Sequence, residues 1–224
     1  MIMQSVYKDI LDELGPGVRL VAVSKTKPDE DIRALYDLGQ RDFGENYVQE
    51  LVDKQSRLPA DIRWHFIGHL QSNKVKYIAQ FVHLIHGVDS LRLLKEIDKQ
   101  AARCNRVIPC LLQVHIAREE TKFGLDATEL GEIMQALKAT PKEFTHIRIR
   151  GLMGMASFTE DSEKLKEEFR GLKALFDEYF GAAQASPDQE FLLSMGMSGD
   201  YRTAIAQGSN MVRIGSLLFG KREG

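Results

Sequence analysis

The sequence is poor in cysteine and proline, with two of the first, Cys104 and Cys110, and six of the second in 224 residues. Two cysteines cannot build a disulfide framework or a cysteine-rich metal site. So little proline beside 18 glycines excludes a fibrous repeat, and 43% hydrophobic residues exclude a disordered chain. Neither charge sign dominates: 30 basic residues face 32 acidic ones, for a net charge of −2. No global basic field therefore draws the chain to a nucleic-acid backbone. No apolar run approaches the ~18 residues that a membrane span needs. At the start of the chain, Lys8, Asp9, Asp12 and Glu13 break up any apolar leader core, so the expected compartment is the cytoplasm.

What is present is an alternation of short apolar runs with charged segments of helical period. Strand expectations fall on Val18–Ser24, Arg41–Phe43, Ile62–Ile67, Val82–His86, Ile108–Val114, Ile147–Gly151, Phe191–Met195 and Met211–Ile214. Helices are expected over Asp29–Leu38, Ser90–Arg103, Ala127–Leu137, Glu163–Phe180 and Tyr201–Gln207. Met1–Gly15 also reads as a helix, with Ile2, Val6, Ile10 and Leu14 on one face. Thr159 or Ser162 should cap the long helix near residue 163, and Asp126 or Thr128 the one before it. Gly15, Gly39, Gly181 and Gly208 stand where helices should end in a left-handed residue. The polar stretch Ala182–Gln189 reads as a loop. Val18–Ser24 and Ile108–Val114 are apolar on nearly every residue, as strands buried on both faces are. Eight strand-helix units in this length predict an α/β fold: a single (β/α)₈ TIM-type barrel with an extra N-terminal helix, one domain over residues 1–224. A doubly wound open sheet is the alternative, but no G-x-G-x-x-G turn follows the first strand.

In a barrel, chemistry belongs at the C-terminal ends of the strands. Lys25 follows the first strand in phase with Val21 and Val23, which places its amine beside apolar side chains. Desolvation there favours the neutral amine, a nucleophile for carbonyl compounds; a solvated lysine at a strand exit is the plainer reading. Lys27 is the ordinary lysine of the pair. Ser198 with Gly199, and Gly215 with Ser216, lie after the seventh and eighth strands, where barrels hold phosphate; two ordinary Gly/Ser turns are the alternative. Arg213 interrupts an apolar strand in phase with Met211 and Gly215. A buried guanidinium needs an acceptor, either a neighbouring carboxylate or a ligand. Asn46 and His65 are candidates to face the mouth. His65 and His69 do not share a helical face and have no third ligand near them, so no metal is expected. His83 and His86 read as packing residues, and Cys110 as core.

At these strand ends the sequence resembles the YggS/PROSC family, the pyridoxal phosphate homeostasis proteins. The matching segments are AVSKTKP (22–28), FGENYVQE (43–50), WHFIGHLQSNK (64–74), RGLMGM (150–155), LSMGMSGD (193–200) and MVRIGS (211–216). They cover nearly the whole chain, in order. The resemblance implies a barrel like the N-terminal domain of alanine racemase, holding pyridoxal 5′-phosphate (PLP) as a Schiff base on Lys25. It further implies phosphate contacts from Ser198, Gly215 and Ser216, with Met197 lining that end. Arg213 would face the pyridine nitrogen and Asn46 would lie near the ring. His69 departs from the family, which usually has proline there. The implied role is PLP homeostasis and cofactor supply, with apo PLP-dependent enzymes as partners, by a monomer without robust turnover. A PLP-dependent racemase is the alternative, and a Schiff-base aldolase a third. An arginine at the ring nitrogen weakens the electron sink. The expected absence of a second, base-supplying domain after the eighth strand also speaks against efficient racemisation.

Overall fold

The computed structural model describes residues 4–117, 123–181 and 190–220. Eight strands alternate with helices along it. The strands are β1 (Arg19–Val23), β2 (Asp42–Glu45), β3 (Arg63–Phe66), β4 (Leu84–Val88), β5 (Ile108–Val114), β6 (Ile147–Gly154), β7 (Leu192–Met197) and β8 (Met211–Ile214). All neighbours are parallel, in sequence order, and β8 pairs back onto β1 with Val21 opposite Arg213, which closes the barrel. The open-sheet alternative is thereby excluded. The helices are α1 (Gln4–Leu14), α2 (Asp29–Asp37), α3 (Val48–Arg57), α4 (Val75–Ile78), α5 (Leu91–Arg103), α6 (Ala127–Ala139), α7 (Ser162–Phe180), α8 (Tyr201–Ala206) and α9 (Ser216–Phe219). No helix among the described residues is long and apolar enough to cross a membrane.

Two cores result. Val21, Leu84, Leu111, Met153, Leu192 and Met211 form a small cluster of strand residues alone, the filling of the barrel itself. A larger one joins the outward strand faces to the helices, and α1 contributes Tyr7, Ile10 and Leu14 to it. Ile2 and the Ala182–Gln189 stretch lie outside the described residues.

Several boundaries differ from expectation, with a common reason. β2, β6 and β7 run further, to Glu45, Gly154 and Met197, because parallel pairing uses backbone groups and tolerates the glycines and small residues that end the apolar runs. Asp126 caps α6 in a reciprocal box with Glu129, as its sequence position predicts. α7 is capped by Asp161 rather than Thr159 or Ser162; Thr159 Oγ1 instead accepts from the Asp161 N–H and sets up the cap. Gly15, Gly39 and Gly208 have positive φ, whereas Gly181 stays right-handed at −57°.

Gly151 in β6 shows what closure demands. Its φ is +134°, and a Cβ there would lie 2.0 Å from the Leu192 carbonyl oxygen of β7. Gly151→Ala is expected to destabilise the fold by at least about 3 kcal/mol, since both backbone strain and a rigid contact oppose it. Chemical denaturation of the two proteins measures this.

Candidate functional site

At the C-terminal ends of the strands lies a cavity of about 450 Å³, a size typical of small-ligand sites. The structure brings Lys25, Asn46 and Arg213 to its wall together with Met197, Ser198, Gly215 and Ser216. Six different strands and the segments after them contribute residues to its lining, so the site exists only once the barrel has closed.

β1 ends at Val23, and Lys25 stands just outside it, half-buried, with Val23 beside it in the wall. The exit is held hard. Lys54 of α3, almost fully buried, donates to the Ser24 carbonyl at 2.7 Å, to Glu45 at 2.8 Å and to Glu50 at 2.6 Å. Ser24 Oγ donates to Glu45 at 2.6 Å, and the Thr26 N–H to Glu50 at 2.6 Å. Thr26 is thus kept at φ +63°, a left-handed conformation that a β-branched residue rarely adopts. Both peptide neighbours of Lys25 are tied down. Burial pushes the Glu45 carboxyl up, and the Lys54 ammonium opposes it. Lys27 is not merely a loop lysine: it also lines the cavity, and its amine donates to the Phe219 carbonyl at 3.0 Å, tying the first loop to the end of α9.

Arg213 is 3% exposed. Within the chain it is held by two carbonyls and a hydroxyl rather than by a neighbouring carboxylate. Its Nη1 donates to the Ser194 carbonyl at 2.8 Å and to Ser194 Oγ at 2.7 Å, and its Nη2 to the Gly154 carbonyl at 3.0 Å. Desolvation lowers its pKa to about 10, partly offset by Asp200, so it remains a cation at neutral pH. In the same lining, after β2, the buried Asn46 Oδ1 has no hydrogen-bond partner among the described residues. A buried acceptor left without a donor is costly. The Ser198 hydroxyl accepts from the Gly215 N–H at 3.2 Å, linking the turns after β7 and β8. A Cβ on Gly215 would come within 3.2 Å of the Val23 carbonyl oxygen and 3.3 Å of Val23 Cβ, so any larger residue there would press on β1.

A family model described as "Alanine racemase, N-terminal domain" matches residues 3–223. The pyridoxal phosphate homeostasis protein of Aquifex aeolicus is 40% identical over 206 residues, covering 92% of this chain and 87% of that protein. The chain belongs to this family. The Escherichia coli K12 member is 39% identical over 210 residues, covering 92% of this chain and 86% of its own. Among solved structures, PipY of Synechococcus elongatus with PLP bound superposes with a TM-score of 0.83 at 34% identity, over 96% of this chain and 99% of PipY. Alanine racemase of Clostridium difficile shares the fold, with a TM-score of 0.79 at 14% identity, and this chain covers 57% of it.

Other pyridoxal phosphate homeostasis family motifs take places that sequence alone did not assign. His65 does not face the mouth. It points inward and toward the N-terminal end of the barrel, where Nε2 meets Asp42 Oδ1 at 2.9 Å and Nδ1 meets His86 Nε2 at 2.9 Å. His69, the departure from the family pattern, stacks on Phe123 with centroids 4.3 Å apart and meets Asp89 at 3.0 Å, which anchors the loop after β3 without proline. Cys110 is fully buried, and desolvation raises its thiol pKa. Asp42, His65 and His83 place three donor atoms within 4.8 Å of one another. Both Asp42 oxygens, however, already accept from Arg63, at 2.7 and 2.5 Å, and a guanidinium in that position repels a metal cation.

The histidines make stability acid-sensitive. Burial lowers the His83 pKa to about 4 and holds that of His86 well below its ordinary 6.5. Between these values the unfolded chain binds protons that the folded one does not. Stability is therefore expected to be full above about pH 6.5 and to fall as the pH drops toward 4. His83→Gln should flatten that slope in denaturation curves taken across this range.

Proposed function

We propose that this chain binds PLP in the cavity at the strand ends, with Lys25 as the covalent anchor, and serves PLP homeostasis. The observation that carries the reading is the convergence on one cavity of a lysine amine, a buried cation and an orphaned acceptor, Asn46 Oδ1. These are groups a phosphorylated pyridine aldehyde would use. Relatives 36–40% identical carry the homeostasis name across most of this chain, and PipY has been solved with PLP bound.

When bound, PLP supplies an aldehyde that captures amines and a ring that withdraws electrons most strongly when its nitrogen is protonated. Lys25, fixed at both neighbouring peptides, presents its amine to the cavity. Arg213, a donor that does not give up its charge, keeps an adjoining ring nitrogen unprotonated and the sink weak. Ser198 and Ser216 offer hydroxyls for the phosphate beside the Gly215–Ser216 backbone, where the Gly215 N–H orients Ser198 Oγ, and Met197 closes that end. Asn46 would take a donor it now lacks. Storage without turnover suits this set: the reactive aldehyde is held covalently while the ring is kept electronically quiet. One chain supplies every one of these groups, so a monomer suffices, and apo-enzymes that need the cofactor are its recipients.

The purified protein is expected to show a visible chromophore with PLP, with borohydride reduction leaving the added mass on Lys25. Lys25→Ala should lose that chromophore while melting like wild type; mass found on Lys27 instead would overturn the assignment. Ser198→Ala should weaken PLP retention by about 1.5–3 kcal/mol, the value of a hydrogen bond to a charged group. Pyridoxal lacking the phosphate should bind far more weakly, and equal binding of the two would remove the phosphate site.

A further inference from the structure

A line of polar side chains runs through the barrel beneath the cavity. From Arg213 it passes to Ser194 Oγ (2.7 Å), to His86 Nδ1 (3.1 Å), from His86 Nε2 to His65 Nδ1 (2.9 Å), and from His65 Nε2 to Asp42 Oδ1 (2.9 Å). Ser194 and His86 are fully buried and His65 is 1% exposed. Asp42, with Arg63, closes the line at the opposite end of the barrel. A wholly apolar filling would be the ordinary choice for this interior.

The chemistry of the two ends sets the direction of every bond. Arg213 can only donate. Burial works to raise the pKa of Asp42, but hydrogen bonds from Arg63 and His65 outweigh it and hold the group below the usual carboxylate range, so Asp42 can only accept. His65 therefore donates through Nε2. A neutral His65 then accepts at Nδ1 from His86 Nε2–H, and His86 accepts at Nδ1 from the Ser194 hydroxyl. With its proton so committed, Ser194 turns a lone pair to Arg213. Each donor meets one acceptor, and both rings carry the proton on Nε2.

We propose that His86 and His65 are positioning residues for Arg213: by fixing the Ser194 hydroxyl, the Asp42-anchored relay holds the guanidinium in place at the cavity wall. The inference rests on the reading that Arg213 faces bound PLP, although the ring tautomers can be measured without it. Two substitutions of His86 separate positioning from packing. His86→Leu removes the acceptor for Ser194, whereas His86→Asn keeps an oxygen that can accept from it.

¹⁵N NMR of the wild-type protein at neutral pH should show His65 and His86 with protonated Nε2 and bare Nδ1. His86→Leu should weaken PLP binding about tenfold, the loss of roughly one buried hydrogen bond. His86→Asn should restore most of it, although both variants leave His65 Nδ1 without its donor and should melt lower than wild type. Leucine binding PLP like wild type, asparagine rescuing nothing, or a ring protonated on Nδ1 would each overturn the relay. If His86→Leu fails to fold, Ser194→Ala cuts the same line at Arg213 and is read in the same way. Failure of the wild-type protein to take up PLP would instead refute the proposed function, leaving the tautomers to decide the relay.

Discussion

A guanidinium buried inside a closed barrel constrains this structure more than any other group. Arg213 cannot shed its proton at neutral pH and is 3% exposed, and an ion so placed survives only with its donors satisfied. The fold satisfies them with the backbone: the Ser194 and Gly154 carbonyls face inward where β7 and β6 pass beside β8. Gly154 lies where β6 continues beyond the apolar run, and Ser194 stands at the start of the Gly-rich end of β7. The departures of these strands from a plain apolar pattern are thus the means by which the cation is accommodated. It faces a cavity while no carboxylate among the described residues neutralises it by direct contact.

A second buried charge performs the corresponding task at the end of β1, the strand that pairs with β8. Lys54 reaches from α3 to the Ser24 carbonyl and to two carboxylates, and Glu50 takes the Thr26 N–H. A buried ion pair is rarely the most stable choice for a core. Here it fixes geometry, since the residue between the two tethered peptides is Lys25. The two charge centres occupy different parts of the barrel, and the cavity between them combines a held amine with a held cation. The homeostasis family shares the fold with alanine racemases that are far more distant in sequence, which is why the argument for function depends on these side chains rather than on the barrel.

Much of this was legible in the sequence because it depends on local pattern. Apolar runs of strand length, separated by helices with Asp126 and glycine at their ends, specify the order of elements, and that order forces parallel pairing. The positions of Lys25, Asn46, Ser198, Arg213 and Gly215 at strand ends follow from the same alternation. The mouth of the barrel could be drawn from phase alone, and the resemblance at six ordered motifs named the cofactor that such a mouth would hold.

What the sequence could not supply was the partner of each polar residue. His65 alternates correctly for an inward side chain, but only the stagger between β2 and β3 decides that it meets Asp42 near the barrel floor instead of the mouth. Lys54 reads as one more surface residue of a charged segment until the packing of α3 brings it to Ser24, 30 residues away. Arg213 was recognisable as buried, yet its acceptors are two carbonyls and a serine hydroxyl contributed by two other strands, and a carbonyl leaves no mark on a sequence. Periodicity determined which residues face inward, because it is a property of a single strand. Register and closure, properties of eight strands together, decided what each of them touches.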